Sequence, residues 1–75
     1  MDTDNLVRMA NRIGDFFDAM PEREEALEGI AQHIRKFWEP RMRRQLLAAI
    51  EAGQATQLQE IVRSALDRHK ATLAA

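Results

Sequence analysis

The sequence predicts an all-α domain, in which residues 1–75 form a single small compact bundle of about four helices. Leu, Ala, Glu and Arg, which favour helices, are common, whereas Tyr is absent and Val is scarce. Apolar residues recur at spacings of three and four, which is typical of helices and unlike the alternation of strands. Only two prolines and three glycines interrupt the pattern. A chain of this length has room for one hydrophobic core.

The first predicted helix covers residues 4–20. Its apolar stripe comprises Leu6, Met9, Ala10, Ile13, Phe16, Phe17 and Met20. Thr3 or Asp4 is expected to be the N-cap, since side-chain oxygens accept hydrogen bonds from the free N–H groups of a first turn. Gly14 costs this helix about 1 kcal/mol relative to Ala. Close approach of another helix or a partner would explain it, and so would tolerance on an exposed face. Pro21 ends the helix.

The second predicted helix starts at Pro21, whose fixed φ suits a first turn. Three of the next four residues are glutamates, which are favourable near the positive end of a helix dipole. The apolar stripe of this helix comprises Leu27, Ile30, Ala31, Ile34 and Trp38. We therefore expect Trp38 to face the core, with His33 and Phe37 near its border.

Pro40 separates the second helix from the third, because proline lacks an N–H group and disfavours helical backbone in the residue before it. The apolar stripe of the third helix comprises Met42, Leu46, Ala49 and Ile50. Gly53 is a suitable C-cap for this helix. Leu47 stands off the stripe, so we expect it to be exposed.

The fourth predicted helix begins with Thr56 as its N-cap, because Thr56-x-x-Gln59 matches a capping box. Its apolar stripe comprises Leu58, Ile61, Val62, Ala65 and Leu66, and it extends weakly to Leu73. Residues 71–75 are expected to fray, as chain ends commonly do.

Catalysis, cofactor binding and metal binding are not expected of this chain. It contains no cysteine, which excludes disulfides, thiolate nucleophiles and cysteine-ligated metals. His33 and His69 are too few and too far apart for a helical metal motif, and a surface or partly buried histidine is the ordinary alternative. Ser64, the only serine, lies in a predicted helix without a strained turn. The glycines are isolated, so no phosphate-binding loop is present.

No membrane segment or signal peptide is expected. The first residues are acidic, and no apolar run approaches the roughly 20 residues of a membrane span. We therefore expect a cytoplasmic protein.

Charge is unevenly distributed, although the net charge is only −1. Residues 1–30 carry eight acidic side chains against three arginines, a net charge of −5. Residues 31–44 carry five basic side chains against Glu39, a net charge of +4. The acidic first part could pair with the basic middle within the domain, or between two copies in a homodimer.

The segment 33–44 combines aromatic residues, a helix break and an arginine cluster. Aromatic residues and arginine are enriched at interface hot spots, so this combination favours a contact surface. Arg41, Arg43 and Arg44 at a helix start could instead imitate the recognition helix of a nucleic-acid-binding module. Nucleic-acid-binding domains are usually clearly basic, whereas this chain has a pI near 6.1. Arginines at a helix N-terminus are also unfavourable, because the helix dipole is positive there. A solvated charged face without any partner is the third interpretation.

Two motifs resemble one known family. They are Leu6-Val7-Arg8-Met9-Ala10-Asn11-Arg12-Ile13-Gly14-Asp15-Phe16-Phe17 and His33-x-x-x-Phe37-Trp38-x-Pro40-Arg41-Met42-Arg43. The chain resembles the delta subunit of cytosolic NAD-dependent, molybdenum-containing formate dehydrogenases. The resemblance spans nearly the whole chain, and the fourth helix is its least distinctive part.

The resemblance implies a non-catalytic accessory subunit that docks on the large (alpha) subunit and supports assembly, cofactor insertion or stability. A transient assembly chaperone, absent from the mature enzyme, is the alternative within this family. The parent complex would carry a molybdenum bis-pterin guanine dinucleotide cofactor, iron–sulfur clusters, FMN and NAD, with none of these in this chain. The expected partner-binding residues are His33, Phe37, Trp38, Pro40, Arg41, Met42 and Arg43. Arg41 and Arg43 are expected to be ionic contacts, and Trp38 a support from behind. Weaker candidates are Met9, Asn11 and Phe17.

Overall fold

The computed structural model describes residues 2–74, which fold into five helices. They are α1 (Thr3–Asp18), α2 (Arg23–Phe37), α3 (Pro40–Glu51), α4 (Glu60–Arg68) and α5 (Lys70–Ala74). No residue of this range lies in a strand. The all-α prediction is therefore confirmed. None of the helices within residues 2–74 is long and apolar enough to cross a membrane.

The N-cap of α1 is Asp2, and the prediction of Thr3 or Asp4 is wrong. Asp2 has extended backbone, and its Oδ1 accepts a hydrogen bond of 3.0 Å from the N–H of Asp4. The carboxylate thus satisfies one of the free N–H groups of the first turn. At the other end the helix stops at Asp18, two residues before the predicted end.

The second helix begins at Arg23, so the prediction that Pro21 opens it is wrong. Glu22 precedes the helix in an extended conformation, with φ −97° and ψ 113°, and its carbonyl accepts the N–H of Ala26. Pro21 instead lies in the short connection that brings α2 back against α1. Glu24 and Glu25 occupy the first turn, where their charge favours the helix.

The corner between α2 and α3 has the form that its sequence predicts. Trp38 and Glu39 are both extended, with ψ angles of 141° and 150°, and Pro40 is the first residue of α3. Proline favours an extended conformation in the residue before it. Its missing N–H group costs nothing at the start of a helix, because the N–H groups of the first turn have no partner within the helix. Trp38 is 6% exposed, so the prediction that it faces the core is confirmed.

Gly53 terminates α3 as predicted. It has a φ of +71°, which an L side chain rarely adopts. Its N–H donates to the carbonyl of Ile50 at 3.1 Å, and the N–H of Gln54 donates to that of Ala49 at 2.9 Å. These two bonds form a Schellman motif, which satisfies carbonyls at the helix end. The expected exposure of Leu47 is wrong, since this side chain is half-buried against the core.

The capping box at Thr56 does not form, and α4 begins only at Glu60. Asn11 of α1 determines this start. Its Nδ2 donates to the carbonyl of Gln57 at 3.0 Å, and its Oδ1 accepts the N–H of Gln59 at 2.9 Å. These two bonds hold the chain bent through the residues that the capping box would need in helical conformation. A tertiary contact overrides the local preference.

The fourth predicted helix is broken at His69, which separates α4 from α5. Leu73 of α5 is 1% exposed, and Lys70 forms an ion pair with Glu51 of α3. The expectation of fraying is therefore wrong for residues 71–74, because this turn docks on the domain. Ala75 lies outside the described residues.

The core surrounds α2, which contacts each of the other four helices. Its buried residues are Ala26, Leu27, Ile30, Ala31 and Ile34. Gly14 of α1 is buried against α4, where an added Cβ would lie 2.6 Å from Cγ2 of Val62. Of the two explanations for this glycine, close approach of another helix is the correct one. Among residues 2–74 the ion pairs join Arg68 to Glu24 and Lys70 to Glu51, so neither links the acidic first part to residues 31–44.

Candidate functional site

Four aromatic rings form a continuous row on the outside of α1 and α2. Phe16 meets Phe17 edge-on at 5.1 Å between centroids, Phe17 lies 6.3 Å from His33, and His33 lies 4.7 Å from Phe37. We call these four residues the aromatic strip. Phe16 is 74% exposed and Phe37 is 66% exposed, whereas Phe17 and His33 are half-buried. The row joins the end of the first sequence motif to the start of the second.

The absence of a side chain at Gly29 leaves room for Phe17 in the middle of the strip. A Cβ on Gly29 would lie 2.4 Å from Cε1 of Phe17, so the ring occupies the space that any other side chain would fill. Consecutive residues of a helix point about 100° apart. Phe17 is turned toward α2, whereas Phe16 projects into solvent.

A shallow cleft with a volume of about 330 Å³ adjoins the strip. It is lined by Arg12, Ile13, Phe16, Phe17 and His33. Arg12 is the one permanently charged residue of this lining. At the far end of the strip, Nζ of Lys36 lies 5.7 Å from the ring centroid of Phe37, within cation–π distance. Cations therefore border the apolar surface at both ends.

The acidic side chains of α1 point to a different surface. Asp15 and Asp18 line a cleft against α4, together with Arg23, Gln59 and Glu60. Asp15 also accepts a hydrogen bond of 2.7 Å from Nε2 of Gln59. The negative charge of Asp15 and Asp18 thus lies away from the aromatic strip.

Arg43 is 5% exposed, so the expectation of an exposed ionic contact is wrong. It lies three residues before Leu46 on the buried face of α3. Its Nη1 makes a long hydrogen bond of 3.5 Å to the carbonyl oxygen of Arg35, in the last turn of α2, where the helix dipole favours a cation. Its Nε has no hydrogen-bond partner within residues 2–74. Arg43 therefore helps to hold the α2–α3 corner.

The other residues of the second motif divide between surface and core. His33 is half-buried and Phe37 is exposed, as their predicted border position requires. Pro40 and Arg41 are exposed at the start of α3, whereas Met42 is half-buried against the core. With Arg43 buried, only Arg41 and Arg44 of the arginine cluster face solvent, which leaves less of the basic surface that a nucleic acid would require.

Most of the first motif is structural. Leu6, Val7, Ala10 and Gly14 are buried, and both side-chain polar groups of Asn11 are bonded to the α3–α4 connection. The exposed residues of this motif are Arg8, Arg12, Asp15 and Phe16. Phe16 belongs to the apolar stripe predicted for the first helix, so its exposure was not expected. No signal in the sequence separates Phe16 from Phe17, because adjacent residues of one helix can both be buried, as Leu6 and Val7 are.

Titration is perturbed away from the strip, at the ion pair between α3 and α5. The hydrogen bond from Lys70, and then its charge, lower the pKa of the Glu51 carboxyl. The same hydrogen bond and the charge of Glu51 raise the pKa of Lys70. Residues 2–74 contain no group of three or more His, Cys, Asp or Glu side chains that could hold a metal ion.

Comparison with known families identifies the chain. The family described as NADH-dependent formate dehydrogenase delta subunit FdsD matches residues 5–66, which include both motifs and every residue of the aromatic strip. Comparisons with curated proteins and with solved structures return no significant match. The matched segment extends from the start of α1 almost to the end of α4, and it covers most of the chain. On this match the chain belongs to the family of NADH-dependent formate dehydrogenase delta subunits.

Proposed function

We propose that this chain is a non-catalytic subunit that docks on the large subunit of the formate dehydrogenase and supports assembly, cofactor insertion or stability. Family membership supports its association with that enzyme. The observation that carries the docking role is the exposed aromatic strip, which is built from both sequence motifs. Each phenylalanine that becomes fully buried at an interface contributes roughly 1.5–3 kcal/mol.

The seven residues named from the second motif have different roles in this proposal. His33 and Phe37 contact the partner directly as part of the aromatic strip. Arg41 and Met42 extend the contact to the start of α3. Trp38 and Arg43 face the core and support the contact surface from inside the domain. Pro40 fixes the α2–α3 corner that presents this surface.

The cofactors belong to the other subunits in this proposal. The parent enzyme carries the molybdenum bis-pterin guanine dinucleotide cofactor, iron–sulfur clusters and FMN, and it uses NAD. The delta subunit holds none of them and works beside them in the cytoplasm. Its effect on the enzyme is therefore exerted through protein contacts alone.

Purification of the tagged chain from its native host tests the proposal. We expect the large subunit to be recovered with it, together with molybdenum and iron. Recovery of the chain alone, with neither metal, would contradict a docking role.

The same preparation separates a resident subunit from an assembly chaperone. A subunit remains in the active enzyme at a fixed ratio to the large subunit. A chaperone is found only with the large subunit before its cofactor is inserted, and is absent from the enzyme that oxidises formate. The ratio of the two chains, measured in the active fraction, decides between these roles.

A further inference from the structure

We infer that the aromatic strip binds an amphipathic helix of the enzyme, whose apolar face lies against the rings and whose carboxylates pair with Arg12 and Lys36. This inference rests on the proposed docking function and adds the chemistry of the partner segment. Three features of the surface carry it: the exposed apolar side chains at the end of α1, the shape of the surface between α1 and α2, and the sign of its bordering charges.

The last turns of α1 carry apolar surface that the core leaves exposed. The buried face of this helix consists of Leu6, Val7, Ala10 and Gly14. Beside that face lies a second apolar row at helical spacing, formed by Met9, Ile13 and Phe16, and Met20 follows just after the end of the helix. Met9 and Ile13 are half-buried, whereas Phe16 and Met20 are 74% and 36% exposed. Met9 and Ile13 pack against the core, so Phe16 and Met20 are the part of the row that is available to a partner.

The shape suits a helix laid between α1 and α2. Successive rings of the strip are 4.7–6.3 Å apart, and successive turns of a helix rise by about 5.4 Å. At these distances the rings touch and present one continuous apolar surface. The apolar side chains at positions i, i+3 or i+4, and i+7 of a partner helix can cover such a surface. The cleft beside Phe16, Phe17 and His33 offers a place for one such side chain.

The cations at the two ends of the strip favour an acidic partner. Arg12 lies at one end of the strip and Lys36 at the other, while Asp15 and Asp18 line a separate cleft. In a two-fold symmetric dimer through this face, each strip would meet an identical strip bordered by the same cations. Carboxylates on the partner instead complement them and favour encounter.

Photo-crosslinking in the intact complex tests the inference. The photoreactive residue p-benzoylphenylalanine replaces Phe16 or Phe37 in the full chain expressed in its native host, and the crosslinked peptides are identified by mass spectrometry. We expect both positions to crosslink to one helical segment of the enzyme with apolar residues at helical spacing and flanking Asp or Glu. Crosslinks to a second copy of this chain, to a nucleic acid, or to a segment without acidic residues would overturn the inference.

Charge reversal provides the second measurement. Arg12→Glu and Lys36→Glu should each reduce recovery of the large subunit about tenfold at physiological salt, whereas Arg12→Lys should retain most of it. Arg23→Glu, which changes the charge equally but lies in the cleft with Asp15 and Asp18, is the matched control. Circular dichroism of each purified variant establishes that it is folded. Equal recovery for Arg12→Glu, Lys36→Glu and Arg23→Glu would refute the role of the charges.

The outcomes distinguish this inference from the function on which it rests. If the wild-type chain recovers the enzyme but the strip variants recover it equally well, the inference fails and the docking function stands. If the wild-type chain recovers no enzyme, both fail.

Discussion

The ring of Phe17 lies over Gly29, in the space that a side chain at that position would occupy. A Cβ built on Gly29 would lie 2.4 Å from Cε1 and 2.6 Å from Cδ1 of the ring. The glycine thus allows α1 and α2 to meet with an aromatic ring between them, and it sets the line along which His33 and Phe37 continue.

Gly29→Ala should therefore destabilise the domain by about 1 kcal/mol, because displacing Phe17 outweighs the gain in helix propensity. In a Phe17→Ala background the same substitution should stabilise it by about 0.5–1 kcal/mol, since only the propensity gain remains. Urea unfolding of the four proteins of this cycle measures the coupling. Equal effects in the two backgrounds would show that the ring and the glycine are independent.

Asn11→Ala should cost about 1–3 kcal/mol of unfolding free energy, because it removes the partners of the Gln57 carbonyl and the Gln59 N–H. Asn11→Asp should cost less, since a carboxylate still accepts the N–H of Gln59. Asn5→Ala on the same helix is the control, because Asn5 bonds only to side chains of α1, and it should change stability by less than about 0.5 kcal/mol. Hydrogen exchange at the first amides of α4 should increase selectively in Asn11→Ala. Unchanged exchange there would disprove the contribution of Asn11.

Arg43 should act mainly through its aliphatic stem. Arg43→Ala leaves a space at the α2–α3 corner and should destabilise the domain by about 1–3 kcal/mol. Arg43→Met keeps the stem and removes a buried Nε that has no partner, so its stability should lie within about 1 kcal/mol of the wild type. The exposed neighbour Arg44 provides the matched control, with Arg44→Ala expected to be nearly neutral. Thermal and urea unfolding measure all three, and equal losses for the Ala and Met variants would indicate that the charge of Arg43 is what matters.

Phe16→Ala and Phe37→Ala should leave the stability of the free chain almost unchanged, within about 0.5 kcal/mol, because both rings are mostly exposed. Each should weaken binding to the enzyme by about 1–3 kcal/mol. Unfolding of the isolated chain and titration of the complex give the two quantities separately. Leu6→Ala is the opposite control, since Leu6 is fully buried and its truncation should cost about 2–5 kcal/mol of stability.

The ion pair between Glu51 and Lys70 should add stability only over a defined range of pH. The pKa of Glu51 is lowered from its ordinary value of 4.5, so its contribution is present above that value and is lost as the pH falls through the folded-state pKa. The pKa of Lys70 is raised from 10.5, so its contribution is present below that value and is lost as the pH rises through the folded-state pKa. NMR titration of the Glu51 carboxyl should show its pKa returning toward 4.5 in Lys70→Ala, and not in the control Lys36→Ala. An unchanged Glu51 titration in Lys70→Ala would contradict the pairing.

Local backbone chemistry made much of the fold predictable. The prolines and Gly53 restrict φ or remove an N–H wherever they stand, so the breaks near Pro21, at Pro40 and at Gly53 follow from these residues alone. The burial of Trp38 follows from its place in the stripe of α2. The start of α4 could not be derived in this way, because Asn11, which determines it, is 48 residues away from Gln59.

The surface was harder to predict than the helices. Arg43 lies three residues before Leu46, at a spacing typical of the core, but its charge suggested an exposed position. The carbonyl that accepts its hydrogen bond belongs to Arg35 of another helix, so the sequence of α3 alone could not reveal it. Phe16 was assigned to the core because it fits the apolar spacing of α1. Only the position of Phe17 over Gly29 shows which of the two neighbouring rings is turned outward.

The contact of Asn11 with the α3–α4 connection also suits the direction of protein synthesis. The ribosome makes α1 first, so the helix that carries Asn11 is already synthesised when Gln57 and Gln59 are added. The late segment therefore meets a partner that is already available, and the last helices can join the domain as soon as they emerge. A circularly permuted chain that begins at Glu60 would reverse this order, because α4 would be made before the residue that positions its first turn.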